Sequence, residues 1–377
     1  MKALSRLSSM LELLGTRHRR RVLAPRCGRD FASNDYLGLA QSSLLRDAAQ
    51  KALGRGVPLG SGGSRLLRGN HPEHEALEHE AAAFFNAEAA LFMGGGFQAN
   101  QAIFSTLPAA EDLILYDVLV HASAHEGMRM GRAQTRAFAH NDVAAARLTI
   151  EEWLAEGGTG QIWIAVESIY SMEGDIAPLN ALSDLALRHG AILVVDEAHA
   201  TGVFGPNGRG LAHGLEADLL TLHTCGKGLG VSGGLICGPR VIIETLINRA
   251  RPFIFATAPS PFNAALVRAV LQHLQTDRSL ILNAQSRTRH AHTIARQFGI
   301  PKEALNSHII PIILGDDAKT METAEKLQAK GFDVRGIRPP TVPRGTSRLR
   351  VSITGNVGKE DINDLFETLA QQQAEAA

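Results

Sequence analysis

Lys227 sits between two glycines in Thr224-Cys225-Gly226-Lys227-Gly228-Leu229-Gly230, just after an apolar run at 217–222. An ammonium group is usually left on the surface. This one follows what reads as a buried strand, in a turn where glycines let other groups approach closely. A lysine held there can have a lowered pKa and act as an amine nucleophile or base. The alternative is a solvated loop lysine. Asp196 closes a second apolar run, Ala191-Ile192-Leu193-Val194-Val195-Asp196. A carboxylate there needs a partner: a cationic heterocycle, a helix N-terminus or an arginine. Gly94-Gly95-Gly96-Phe97 lies between a strand and a helix pattern. Such a turn offers free backbone N–H groups and a helix dipole to a phosphate, and Thr224 can add a hydroxyl. His121 can stack on a planar ligand or simply cap a helix. Arg348 and Arg350 alternate onto one face of a strand. Arginine suits a carboxylate because it binds as a two-toothed fork, although surface exposure is the ordinary explanation. Together these form the set that pyridoxal phosphate needs, with an amine for the Schiff base and a carboxylate that keeps the ring nitrogen protonated.

The elements that must position these groups follow from periodicity. Helical spacing is expected over 4–14, 42–53, 97–106, from about 121, and over 180–189. Asn70 is expected to cap a helix running to about Phe85, with Pro72 in its first turn. Ala89–Met93, Leu113–Asp117, Ile162–Glu167, Ala191–Asp196, Leu219–Thr224 and Gly234–Gly238 read as strands. Continuous apolar strands between helices predict a mostly parallel central sheet covered on both faces, an α/β fold. Ligands in such sheets bind beyond the carboxyl ends of the strands. Gly94, Asp117, Ser168, Asp196 and Lys227 all fall near those ends. One long helix pattern, 260–298, leads to a smaller α+β C-terminal domain with strands near 308–314, 333–337 and 348–353. The expected domains are an N-terminal arm and helix over 1–40, a large α/β domain over 41–258, and the linker helix with the small domain over 259–377.

Rival motifs fail on spacing. Asp196-Glu197-Ala198-His199 spells a helicase box, but that reading needs a phosphate loop G-x-x-x-x-G-K-[ST]. Around Lys227 the first glycine is Thr221 and the residue after the lysine is Gly228. His125-Glu126 and His74-Glu75 begin a metalloprotease pattern, but Arg129 and Glu78 stand where the second histidine belongs. No metal is expected, and both histidines read as surface or capping residues.

Lys and Arg balance Asp and Glu at 38 each, so no globally basic nucleic-acid partner is indicated. Three cysteines are too few for a disulfide framework, and a reducing, cytoplasmic setting is the simplest reading. No apolar run is long enough to span a bilayer. Residues 1–29 hold eight Lys/Arg and one acid, Glu12. They read as an ordered arm that meets an anion, in preference to a targeting segment.

With these motifs in order, the chain resembles the α-oxoamine synthases. The likeness runs from Ser33-Asn34-Asp35-Tyr36-Leu37-Gly38, through Gly60–Ser64, Asp196–Gly202 and Gly226–Gly233, to Arg348-Leu349-Arg350. It implies a pyridoxal 5'-phosphate transferase fold of the aspartate-aminotransferase type (fold type I) and a homodimer. By resemblance, Lys227 is the Schiff-base lysine, Asp196 pairs with the pyridine nitrogen, His199 bonds the phenolic oxygen and His121 stacks on the ring. Gly96, Phe97 and Thr224 hold the phosphate, joined by Thr257 from a partner subunit, and Ser171 lies near the cofactor. Arg350 and Asn34 hold the amino-acid carboxylate, and Arg21 sits near the acyl substrate. The run Ile337-Arg338-Pro339-Pro340-Thr341-Val342-Pro343 looks like the branch serving biotin synthesis. That branch condenses L-alanine with pimeloyl-CoA or a pimeloyl acyl carrier protein. The alternatives are a glycine- or serine-using relative, an aminotransferase of the same fold, or a non-catalytic relative.

Overall fold

A computed structural model describes residues 2–375. The chain forms two compact units. The larger comprises Leu37–Tyr170 and Ile176–Asn283; the second takes the described residues up to Tyr36, the segment Ser171–Asp175 and those from Ala284 onward. The C-terminal part of the chain thus divides at 283/284, against the boundary at 258/259 expected from the sequence.

The larger unit is built on a seven-stranded sheet. In spatial order the strands are Ala89–Met93, Gly234–Gly238, Asp218–Thr224, Ile192–Asp196, Ile162–Glu167, Leu113–Asp117 and Gln134–Phe138. Gly234–Gly238 runs antiparallel to both its neighbours, and the other pairings are parallel. The parallel rule therefore fails at this one strand. Ala89–Met93, two reversals away, again points the same way as the rest. The carboxyl ends of six strands consequently share one edge. Ile162–Glu167 is buried along its whole length, as its apolar run requires. Helices cover the sheet, with Phe104 and Trp163 in one core cluster and Trp153 and Tyr170 in another.

Local details depart from the sequence reading. His71, not Asn70, caps the helix Pro72–Phe85, its side chain accepting from the Glu73 N–H. Asn70 instead donates to Glu75 Oε1 at 2.7 Å. His74 is fully buried rather than on the surface, and its Nε2 lies 2.7 Å from the Pro259 carbonyl. The pattern over 260–298 is two helices, Pro261–Thr276 and Ser279–Gln297. They break at Asp277, whose carboxylate accepts from the Ser279 N–H, a capping bond that starts a new helix.

The second unit has its own sheet, ordered Arg335–Ile337, Ser347–Ser352, Ile309–Gly315. Both pairings are antiparallel. Phe31, Phe332, Phe366 and Leu349 are buried in its core. Among the described residues no helix is long and apolar enough to cross a membrane.

One buried acid anchors the turn after Ile192–Asp196. Glu197 has no exposed surface. Its carboxylate accepts from Ser168 Oγ at 2.6 Å and from the Ala212 N–H at 2.5 Å. Its carbonyl accepts from the Ala200 and Thr201 N–H groups, which closes the turn carrying Asp196 and His199. Burial raises its pKa from an ordinary 4.5 to about 7, against the lowering effect of these bonds. The folded state thus favours the protonated acid. That contribution is complete below pH 4.5 and is lost as pH rises through about 7. The loss amounts to about 3 kcal/mol. Glu197→Gln removes the titration. The stability of this variant relative to the native chain, from urea midpoints, is expected to rise by about this amount between pH 4.5 and 8. A difference independent of pH contradicts the assignment.

Candidate active site

Strand register builds the edge. Met93 pairs with Gly234, and Gly234 with Thr224, so the turn after Met93 lands beside the Thr224 end of its strand. Gly95 precedes the helix Gly96–Thr106 and supplies no side-chain cap. The first N–H groups of that helix therefore lack intrahelical acceptors. A Cβ on Gly96 would lie 3.4 Å from Thr224 Cβ and 3.5 Å from its hydroxyl, so glycine keeps the amides and the hydroxyl around one open space. Phe97 presents its ring to solvent. Uncapped amides, a dipole end and a hydroxyl suit a phosphate. The structure thus brings the turn carrying Gly96 and Phe97 beside Thr224.

Asp196 has partners that the sequence reading did not identify. Its Oδ2 accepts from Asn100 Nδ2 at 2.9 Å and its Oδ1 from the Ala198 N–H at 2.9 Å. Asn100 lies four residues after Gly96, on the same face of the same helix. Its amide also donates to Ser123 Oγ at 2.9 Å. Ser123 Oγ is 2.7 Å from His121 Nδ1, which also accepts from the Ser123 N–H. With Nδ1 accepting, the proton of a neutral His121 sits on Nε2. His121 is the N-cap of the helix Ala122–Met130 and is exposed. Both sequence readings of this residue are therefore compatible: it caps a helix and leaves its ring accessible. Asn100 and Ser123 sit on helix faces like any polar residue. Only the four-residue step from the glycine turn pointed to Asn100.

Lys227 is half-buried. Its Nζ lies 2.9 Å from His199 Nε2, and His199 is buried. The turn after Asp196 and the turn after Thr224 thus bring amine and imidazole together. His223, one residue before Thr224, is buried against Phe85, ring centroids 3.6 Å apart. Burial pushes its pKa down to about 3, so it stays neutral and packs. Thr257 is exposed in the segment between helices Arg251–Ile254 and Pro261–Thr276.

The second unit holds the remaining expected residues. Arg348 and Arg350 are both buried, which overturns the surface explanation. Arg348 pairs with Glu173 at 2.9 Å. Among the described residues, Arg350 bonds to neutral acceptors: the Ser171 carbonyl at 2.6 Å, Ser352 Oγ at 2.8 Å and Asn34 Oδ1 at 3.1 Å. The Tyr36 hydroxyl also donates to Asn34 Oδ1, at 2.9 Å. Burial pushes the Tyr36 pKa up to about 12, against the lowering effect of Arg350. A buried guanidinium without a carboxylate is a ready site for one. Ser171 enters this cluster through its backbone carbonyl. Arg21 is exposed and donates to Thr341 Oγ1 at 3.1 Å, within the run that resembles the branch serving biotin synthesis. Among the described residues no group of three or more His, Cys, Asp or Glu is placed to hold a metal ion.

Comparison with known proteins agrees with this geometry. The family model of class I and II aminotransferases matches residues 29–369. The 8-amino-7-oxononanoate synthase of Anaeromyxobacter dehalogenans is 40% identical over 90% of this chain and 85% of its own. A serine palmitoyltransferase from S. paucimobilis with bound PLP-myriocin superposes with a TM-score of 0.88 at 28% identity, covering 98% of this chain and 99% of that one. The 8-amino-7-oxononanoate synthase of Francisella tularensis gives 0.76 at 26% identity, covering 93% and 98%. A lysine–histidine pair at a parallel-sheet edge and a family match along nearly the whole chain lead to one conclusion. The chain belongs to the class I and II aminotransferase family and, within it, to the 8-amino-7-oxononanoate synthases.

Proposed function

We propose that the chain condenses L-alanine with a pimeloyl thioester, releasing carbon dioxide and free thiol and leaving 8-amino-7-oxononanoate. The single observation that carries the reading is Lys227 Nζ, held 2.9 Å from His199 Nε2 beside the strand that ends in Asp196. The cofactor is pyridoxal 5'-phosphate, which supplies the electron sink that lets the alanine Cα lose a proton and, later, a carboxylate. The amides of Gly96 and Phe97 and the Thr224 hydroxyl would hold its phosphate. Asp196, kept in place by Asn100, would pair with the ring nitrogen. His121 would stack on the ring, His199 would bond the phenolic oxygen, and Ser171 would lie near the cofactor.

Lys227 takes the Cα proton. The Cα then attacks the thioester carbonyl carbon, the C–S bond breaks, and the sulfur leaves as thiol after gaining a proton. Loss of carbon dioxide from the β-keto acid frees the Cα bond that a proton from Lys227 refills. Arg350 holds the alanine carboxylate through its fork, together with Asn34, whose Oδ1 is already committed to Arg350 and Tyr36. Arg21 lies towards the acyl chain.

The protein acts as a homodimer. Leu66, Leu67, Phe97 and Phe255 are large apolar residues left half or more exposed; the first three occur on the helices Arg65–Gly69 and Gly96–Thr106, and Phe255 follows the helix Arg251–Ile254 that packs against both. A second copy on that face covers them and brings its Thr257 to the phosphate. The three cysteines are free, consistent with a cytoplasmic setting. The backbone match to serine palmitoyltransferase gives one second reading, with serine as the amino acid.

Release of labelled carbon dioxide from carboxyl-labelled L-alanine, dependent on pimeloyl-CoA and matched by free thiol, tests the reaction. Serine and glycine run in parallel. Faster release from serine moves the assignment to the second reading. Lys227→Ala is expected to lower turnover by at least about a thousandfold; a cofactor-loaded variant with retained turnover removes this lysine as the base. Asp196→Asn is expected to cost at least about a hundredfold in kcat, and an unchanged kcat contradicts its role. Arg350→Lys keeps the charge but loses the fork. It is expected to raise the KM for alanine about tenfold or more while the KM for the thioester holds. Equal changes in both constants argue against a carboxylate role.

A further inference from the structure

The arm after the helix Lys2–Thr16 gathers cations that the assigned site does not use. Arg17, Arg19 and Arg344 line two adjoining cavities of the second unit. One, of about 800 Å³, is bounded by Gly315 and Asp317. The other, of about 660 Å³, adds Arg20 and an apolar wall that includes Leu11, Leu14 and Pro339. Only Arg19 is neutralised there, its Nε 2.9 Å from Asp317 Oδ2. The other oxygen of Asp317 accepts from Ser347 Oγ at 2.5 Å. Arg17, Arg20 and Arg344 are exposed, and no carboxylate pairs with them among the described residues. Arg338 adds a further positive charge and is fixed to the His18 carbonyl.

Asp316 and the Arg19-paired Asp317 line the first cavity, but the arginines of the two cavities outnumber them, and this excess of like charge is lowered in energy by taking up an anion. Guanidinium groups match phosphate oxygens in particular. The adjoining apolar wall calls for a ligand whose phosphate is joined to a methyl-bearing chain. This inference rests on the thioester reading above, because that acyl group arrives on such a chain. We propose that Arg17, Arg20 and Arg344 bind the phosphate of a phosphopantetheine tail, the chemistry shared by coenzyme A and a carrier protein. The leucine and proline wall takes the pantoyl methyl groups.

Titration calorimetry on the full chain loaded with pyridoxal phosphate tests this without turnover, using 4'-phosphopantetheine and unphosphorylated pantetheine. The native chain is expected to prefer the phosphorylated ligand by about tenfold or more at low salt. The combined variant Arg17→Gln, Arg20→Gln, Arg344→Gln is expected to lose that preference. No preference in the native chain, or the same preference in the variant, overturns the proposal. Arg344→Glu alone, where the triple variant fails to fold, should reduce the preference further than Arg344→Gln; equal effects overturn it. Coenzyme A and a phosphopantetheine-bearing carrier protein form separate arms. A loss confined to one of them identifies the source of the tail. Failure of the alanine condensation would refute the assigned reaction while leaving this phosphate preference intact. A lost preference alongside normal condensation of an N-acetylcysteamine thioester would separate them in the other direction.

Discussion

A carboxylate at the end of a buried parallel strand constrains the larger unit more than any other group. Asp196 is only partly buried there, and both of its oxygens are met by donors from the protein. The Ala198 N–H answers one oxygen from within the following turn. Asn100 answers the other, which fixes the face that the helix Gly96–Thr106 turns to the sheet. Because Gly96 lies on that face as well, satisfying Asp196 also aims the uncapped amides. The same Asn100 amide reaches Ser123, and through it His121. One set of hydrogen bonds therefore aligns a carboxylate, an uncapped helix start and an imidazole. The pairings Met93–Gly234–Thr224 deliver the cradle's other wall.

Much of this was legible in the sequence, because the strand ends are marked twice. Apolar runs such as Ile162–Glu167 leave no doubt where strands lie, and the glycines after Met93 and around Lys227 mark where chain must pass closely. What escaped was held by partnership rather than pattern. Gln134–Phe138 is an edge strand, mostly exposed, so it lacks the apolar run that revealed its neighbours. Asp277 and His71 act as caps through single side-chain bonds that composition does not show. The antiparallel course of Gly234–Gly238 depends on a short connection from Thr224, too short to cross over to a parallel neighbour. Glu197 reads as part of a motif, yet what it does is close a turn around a buried acid.

The arginines of the second unit show the limit most clearly. Arg348 and Arg350 share a face because strands have period two, and by type both belong on the surface. The structure buries both and treats them differently. Arg348 meets Glu173, so its charge is cancelled and it ties down the segment Ser171–Asp175. Arg350 meets a carbonyl, a hydroxyl and an amide oxygen. Dipoles of that kind satisfy the N–H groups while leaving the charge in place. Strand period decides which residues face the same way. What the opposing elements supply decides which of them remains able to attract an anion. The difference between the arginine paired with a carboxylate and the one bonded to neutral groups therefore lies in residues 34, 171 and 352, far from it in sequence or with no motif of their own.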